Sequence, residues 1–308
     1  MRNLIRIHCK RYLFRWESFA VTMLNLLLTV FCTLAALLMY EPENLNNEPF
    51  YNVMHTVSLI SIAFTMTAVI FTEINTLATG AIRNPLIAGY SKGQVFLSKF
   101  IAVGIFSIVQ GALFLLPPVL ANIWIDVPVL YTISMLLVYV VVSCIAMSVC
   151  LLTDRPTVFV VICIGCLVGL LLGGKALTSI SDIPQFNSVR IEQETLSKDE
   201  NTWYVPSPQR DILEQCIIVN PMQPINEYGG WYFKHQDTSG FAIDSWKNAL
   251  IQSTSEIEKE YNQFMLKQSE DALSHHTNRF KILPIYQIVF LVIFASVSVT
   301  IFRKRNLK

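Results

Sequence analysis

Six long apolar stretches dominate this chain, and none of them has a charged side chain in its interior. They cover roughly residues 20–40, 51–72, 100–125, 127–152, 156–174 and 282–302, and Asp126 is the acid between the third and fourth. About 20 uncharged, apolar residues are enough for a helix to cross a bilayer. The sequence therefore predicts an all-α polytopic membrane protein with six transmembrane helices.

The absence of charge also limits how such a protein can work. Charged residues make up 15% of the chain, against about 25% in a soluble domain. Pumps driven by ion gradients keep ionisable groups at membrane depth, where such groups are costly. Because the six stretches lack them, we expect any transport to draw on energy supplied from outside the bilayer.

Basic residues are distributed unevenly around the apolar stretches. The predicted inner segments carry Arg2, Arg6, Lys10, Arg11, Arg15, Arg83, Lys92, Lys99, Arg155, Arg303, Lys304, Arg305 and Lys308. The short outer links carry acids without Lys or Arg, namely Glu41, Glu43, Glu48 and Asp126. The positive-inside rule then places both termini in the cytoplasm. The chain has no Asn-x-Ser/Thr glycosylation sequon, which agrees with a bacterial cell membrane.

The first residues are predicted to form a separate element, an interfacial amphipathic helix over 1–17. One side of this helix carries an apolar and aromatic set, and the other side carries Arg and Lys. The set is Leu4, Ile5, His8, Tyr12 and Trp16. Trp16 suits headgroup depth, and the basic side suits anionic lipid. The alternative is an ordinary basic flank of the first span.

The remaining boundaries follow from composition. Transmembrane helices one to five are predicted within 18–176, with a cytoplasmic loop at 73–99, and the sixth helix with its basic tail within 282–308. Residues 177–281 are polar and are predicted to form an α-rich extracellular domain. Its first half is broken by Pro and Gly, and a helical pattern runs on from about Asp244.

The loop after the second stretch is the best candidate for a surface that contacts another protein. Ser91 is predicted to cap the helix that leads into the third span, and Gly89 and Tyr90 to form the turn before it. Pro85 predicts a break or a first helical turn. The alternative is a solvated loop without a partner.

The fifth stretch carries Gly165, Gly169 and Gly173 at four-residue spacing. These glycines share one face and permit close helix approach, either within this subunit or against a second one. The same segment nearly fits a phosphate-binding loop, but Ala176 stands where Ser or Thr is required. No metal or catalytic motif is present either, so we expect the chain to bind no cofactor and not to be an enzyme.

The loop also carries a family resemblance. Glu73, the run from Thr79 to Lys92 (TGAIRNPLIAGYSK) and the sequence from Leu97 to Lys99 resemble the bacterial ABC type 2 (ABC exporter) permeases. The basic start, six spans, an outer region before the last span and a basic tail are also similar to that family. The resemblance implies a membrane subunit that works with a separate ATP-binding-cassette ATPase and with a second permease subunit, identical or paralogous.

The resemblance further implies a coupling helix over 76–92 that sits in a groove of the ATPase. Arg83 and Lys92 would pair with acids of that subunit, and Glu73 would pair with a nearby basic residue of this chain. The whole set of implied coupling residues is Glu73, Leu77, Gly80, Ile82, Arg83, Leu86, Ile87, Gly89, Tyr90, Ser91 and Lys92. Among them, Leu77, Ile82, Leu86 and Ile87 would fill the groove.

Two functions remain open on the sequence alone. In the first, ATP and Mg²⁺ on the partner ATPase drive export of an apolar or amphipathic cargo, such as a lipid or an antimicrobial peptide. In the second, the chain is a membrane receptor or scaffold whose extracellular domain senses a ligand without transport. Membrane lipid is an expected partner in both, and nucleic acid in neither.

Overall fold

The computed structural model describes residues 1–39, 48–120, 129–153, 156–192, 195–226 and 239–305. The predicted links at Glu41, Glu43, Asp126 and Arg155 and the end of the tail at Lys308 lie outside these residues. The described elements, in chain order, are α1 (Arg2–Phe14), α2 (Trp16–Met39), α3 (Glu48–Ala78), α4 (Arg83–Ile87), α5 (Lys92–Leu120), α6 (Val129–Leu152), α7 (Pro156–Ser181), β1 (Phe186–Glu192), β2 (Thr195–Glu200), α8 (Gln209–Val219), α9 (Ser239–Gln252) and α10 (Glu256–Lys304).

The chain is mostly helical, and five of its helices are long and apolar enough to cross a membrane. Their membrane-length parts are Thr56–Ala78, Lys92–Leu115, Thr132–Leu152, Val160–Ser181 and Lys281–Lys304. A sixth span is reached when α1 and α2, which meet at a bend of 57°, are counted as one. The prediction of a helical, multi-pass membrane protein is therefore confirmed, and the six-span layout stays a prediction.

The first compact unit comprises Met1–Leu170 and Pro284–Lys308. Helices α1, α2, α3, α5 and α6 pack against one another in it. The largest fully buried side chains in its interior are Lys99 and six aromatic residues, namely Tyr12, Phe96, Phe106, Phe114, Tyr139 and Phe302. Among the five described helices of membrane length, α6 is the most buried, because 72% of its apolar part lies inside the protein, against 11% for α7.

Helix α1 uses its apolar side for packing within this first unit. Leu4, His8 and Tyr12 recur every four residues and are all buried, so they share one face of the helix. Arg15 has extended backbone (φ −77°, ψ 150°) and separates α1 from α2. Trp16, expected on the same side, is 75% exposed, because the bend at Arg15 turns it away from that face.

The second compact unit comprises Leu171–Leu283. It contains a two-stranded antiparallel sheet, β1 with β2, in which Ile191 pairs with Leu196 and Val189 with Lys198. The hairpin was not predicted, although the chain as described is mostly helical, as expected of an all-α polytopic membrane protein. Its sequence has no Asn-Gly or Asp-Gly between the strands, and such a pair is the strongest local sign of a hairpin.

A largely buried ion pair, with Arg279 at 4% and Glu214 at 13% exposure, joins three helices inside the second unit. Arg279 of α10 donates to both carboxylate oxygens of Glu214 on α8, with Nε at 2.6 Å from Oε2. Ser181, the last residue of α7, donates its hydroxyl to Glu214 and accepts from Arg279 at 3.0 Å. Because charge-assisted bonds of this kind are stronger than neutral ones, they hold the end of α7 against the middle of α8 and the middle of α10.

Candidate functional site

The base of the loop is a buried cluster of three side chains from three helices. Lys99 of α5 forms an ion pair with Glu73 of α3, and each side chain is 1% exposed. Tyr12 of α1 donates its hydroxyl to the other carboxylate oxygen of Glu73. Lys99 is the kind of basic partner expected for Glu73, since a charge buried without one is unstable.

Glu73 and Lys99 both belong to helices of membrane length, Thr56–Ala78 and Lys92–Leu115. These two spans of the structure thus extend beyond the charge-free stretches of the sequence, and both Glu73 and Lys99 lie within them. Each of these two charges neutralises the other. The pair therefore serves to hold α3 against α5, and neither member is left as a separate intramembrane charge.

A second polar network lies deeper in the same bundle and was not predicted. Asn25 of α2 donates through Nδ2 to Gln110 of α5 at 3.0 Å and to Thr65 of α3 at 3.3 Å. Gln110 donates in turn to Thr22 at 2.6 Å. Amide side chains placed within apolar stretches are the signal that could have found it, because such groups hydrogen-bond across helices in a bilayer.

The loop itself is a short helix between two glycine turns. Helix α4 (Arg83–Ile87) is preceded by Gly80 at φ +63° and followed by Gly89 at φ +87°. The Gly80 N–H binds the Leu77 carbonyl at 3.0 Å, and the Gly89 N–H binds the Leu86 carbonyl at 3.0 Å. A Cβ would meet nothing at either glycine, so the left-handed backbone is what favours glycine there.

The far side of the loop is closed by a capping box. The Ser91 hydroxyl accepts from the Gln94 N–H at 3.3 Å, and the Gln94 side chain accepts from the Ser91 N–H at 2.9 Å. This is the cap expected from Ser91, and it satisfies two N–H groups at the start of α5. Pro85 lies in the first turn of α4, where its missing N–H has no helical partner to lose.

The structure separates the implied coupling residues by exposure. Arg83, Ile87, Gly89 and Ser91 are exposed, with Ile87 at 83%. The partly exposed members are Leu77, Gly80, Leu86, Tyr90 and Lys92.

Glu73 and Ile82 are buried, at 1% and 5% exposure. The expectation that Ile82 fills a groove of a partner is corrected, because this side chain already packs inside its own chain. Glu73 likewise presents no surface to a partner and instead holds the helices beneath the loop.

Lys92 also differs from its expected role. Its ammonium group donates to the backbone carbonyl of Arg305 at 2.6 Å and to that of Arg303 at 3.4 Å. The carbonyls at a helix carboxyl end have no partner within the helix and attract cations. Lys92 is therefore occupied within this chain rather than available to acids of another subunit.

The three glycines of α7 face open space. Gly165, Gly169 and Gly173 are exposed, and a Cβ built on each would meet no atom within 4 Å. Close approach by another described helix of this subunit is therefore excluded. Close approach by a second subunit stays a prediction.

Within the described ranges, no group of three or more His, Cys, Asp and Glu side chains is placed to hold a metal ion. Three histidines, His55, His275 and His276, have side chains outside the described part of the structure.

The chain matches no protein-family model, no curated protein and no solved structure. The resemblance of the loop to ABC type 2 permeases therefore remains a prediction from its residues.

Proposed function

We propose that this chain is the membrane-spanning subunit of an ATP-binding-cassette exporter in a bacterial cytoplasmic membrane. The observation that carries the proposal is the exposed helix α4, held between two left-handed glycines above the buried pair of Glu73 and Lys99. A separate ATPase binds this helix, and the energy of its bound ATP reaches the spans through it.

The loop is built so that movement at α4 reaches several helices. The connection from Ala78 to Arg83 is closed by backbone hydrogen bonds at Gly80, and the one from Ile87 to Lys92 by the capping box. At their inner ends α3 and α5 are joined by Glu73 and Lys99, and α1 is joined to them by Tyr12. A force on α4 is therefore not absorbed by a flexible loop but displaces these three helices together.

The exposed groups of α4 favour a particular partner surface. Ile87 is an apolar side chain that is 83% exposed, and Arg83 lies one turn away on the same short helix. A groove with an apolar pocket and a neighbouring acid complements this pair, as in protein interfaces with an apolar centre and a charged rim.

The other parts of the proposal come from composition and resemblance. ATP and Mg²⁺ belong to the ATPase, and a second permease subunit, identical or paralogous, completes the path. Both termini lie in the cytoplasm, as the positions of Lys and Arg favour. Apolar stretches without charge in their interiors favour an apolar or amphipathic cargo, such as a lipid or an antimicrobial peptide. Export is the direction that the resemblance implies.

The test is retention of an ATPase by variants of the exposed residue. The tagged chain is purified from its native membrane, and the retained proteins are identified by mass spectrometry. We expect an ATPase with a phosphate-binding loop, and about tenfold less of it on Ile87→Glu, since a central apolar anchor contributes on the order of 1–2 kcal/mol or more. Ile7→Glu is the matched control, because Ile7 is 55% exposed on α1.

Equal retention by Ile87→Glu and wild type would contradict the assignment of the loop. A chain that retains no ATPase but binds a ligand through residues 177–281 would instead be the receptor or scaffold.

A further inference from the structure

The last turn of α10 is held by the first turn of α5, immediately after the loop. Lys92 donates to the carbonyls of Arg303 and Arg305, at 3.4 and 2.6 Å. These contacts join residues 211 and 213 positions apart in the chain. Because the end of a helix carries partial negative charge, an ammonium group stabilises this turn.

Two further residues of α5 pack on the same turn. Phe96 and Phe302 have ring centroids 5.5 Å apart, and both side chains are fully buried. Gly93 lies against the Arg303 side chain, and a Cβ built on it would be 2.7 Å from Arg303 Nε. The first turns of α5 thus contact the end of α10 through the ammonium group of Lys92, the ring of Phe96 and the backbone at Gly93.

The same turn also contacts the inner end of α6. Arg305 donates through a guanidinium nitrogen to the carbonyl of Leu151, which lies in the last turn of α6. Residues Phe302–Arg305, here named the C-terminal turn, therefore connect the start of α5 with the end of α6.

We propose that the C-terminal turn is a positioning element of the coupling loop. By fixing the first turn of α5 relative to α6, it sets where the loop presents α4 and limits how far α5 moves alone. This inference rests on the proposed function and deepens it. The C-terminal turn acts through α5 and is not itself part of the ATPase contact.

The test compares four single substitutions in the complex of full-length chain and ATPase, in lipid nanodiscs, namely Lys92→Met, Lys92→Arg, Phe302→Leu and Lys304→Met. Lys92→Met removes the ammonium group but keeps an unbranched side chain, and Lys92→Arg restores a donor. Lys304→Met is the matched control, since Lys304 is an exposed cation of the same helix end. The readouts are the amount of ATPase retained, the ATP hydrolysis that depends on the membrane chain, and hydrogen exchange of the amides of 302–305.

We expect Lys92→Met to retain ATPase within about twofold while chain-dependent hydrolysis falls about fivefold or more, the lower range of coupling between sites. Hydrogen exchange at 302–305 rises in the same variant. Lys92→Arg recovers most of the hydrolysis, and Lys304→Met leaves it unchanged. If Lys92 were needed only for folding, Lys92→Met would lower the amount of retained ATPase as well as the hydrolysis.

Unchanged hydrolysis in both Lys92→Met and Phe302→Leu would overturn the inference and leave the proposed function standing. Retention that falls in step with hydrolysis would also overturn it, because Lys92 would then contact the ATPase directly. If Lys92→Met does not accumulate, Phe302→Leu alone decides, since it keeps an apolar side chain in the buried contact. If the wild-type chain retains no ATPase, the proposed function fails and this inference with it.

Discussion

Among the described residues, each of the two compact units has an ion pair of low exposure beside a hydroxyl group, and the two pairs differ in geometry. In the first unit Lys99 presents a single ammonium group to Glu73, beside the Tyr12 hydroxyl. In the second unit Arg279 presents a planar fork to Glu214, beside the Ser181 hydroxyl.

The difference indicates distinct roles for the two pairs. A guanidinium that binds both carboxylate oxygens fixes direction as well as distance, so it suits helices that keep one arrangement. An ammonium group is a point charge on a flexible stem, and it can keep its partner while the helices shift. The Lys99–Glu73 pair lies beneath the candidate coupling loop, where movement is expected. The Arg279–Glu214 pair holds the end of α7 against the middle of α8 and of α10.

The largest expected effect comes from breaking the pair of the first unit. Glu73→Gln leaves Lys99 buried without its acid, and we expect a loss of about 3–5 kcal/mol in the free energy of unfolding. The free energy of unfolding of each variant is measured on the detergent-solubilised protein. The double variant Glu73→Gln with Lys99→Met removes both charges and should lose less than Glu73→Gln alone. Equal losses would mean that the two charges do not interact.

A smaller effect is expected from weakening the ion pair of the second unit, in which Arg279 donates to both carboxylate oxygens of Glu214. Arg279→Lys keeps the charge but loses the bond to one carboxylate oxygen, which costs about 1–3 kcal/mol. Hydrogen exchange should rise at the end of α7 and around Glu214 in α8. Arg190→Lys, at an exposed position of β1, serves as the control. If both substitutions leave exchange unchanged, the directional role of Arg279 is wrong.

The smallest expected effect lies in the loop above the first pair. Gly89→Ala places a side chain on a residue at φ +87° and should cost about 1–2 kcal/mol. Gly165→Ala is the matched control, because Gly165 is helical with open space around it. For both variants, the rate of limited proteolysis within 83–91 and the free energy of unfolding are measured. Equal behaviour of the two variants would show that the turn at Gly89 does not need a left-handed residue.

Much of the first unit could be predicted because its signals are local. Charge-free runs predict the spans, and Ser91 and Gly89 are local signs of a cap and a turn that the structure contains. Glu73 directly follows an apolar stretch, so a basic partner was expected from the cost of burying an acid. Lys99 supplies it from the next span.

The remaining features depend on contacts between distant parts of the chain. Nothing near Lys92 indicates that its partner carbonyls lie 211 and 213 residues later. Ile82 lies in a predicted loop, so the sequence favours an exposed side chain there. Packing against distant parts of the chain buries it instead. The hairpin of β1 and β2 was not predicted, since its strands are short, largely polar and lack a glycine turn between them.

The most direct test of the account is hydrogen exchange of the loop when the ATPase is trapped with ADP and vanadate. The complex in nanodiscs is compared with and without nucleotide. We predict that hydrogen exchange changes at the amides of 83–91. It should change in the same direction at the amides around Glu73, near the end of α3, and around Lys99, near the start of α5. No change at any of these amides, with the ATPase bound and trapped, would contradict the claim that the ATPase acts on this chain through α4.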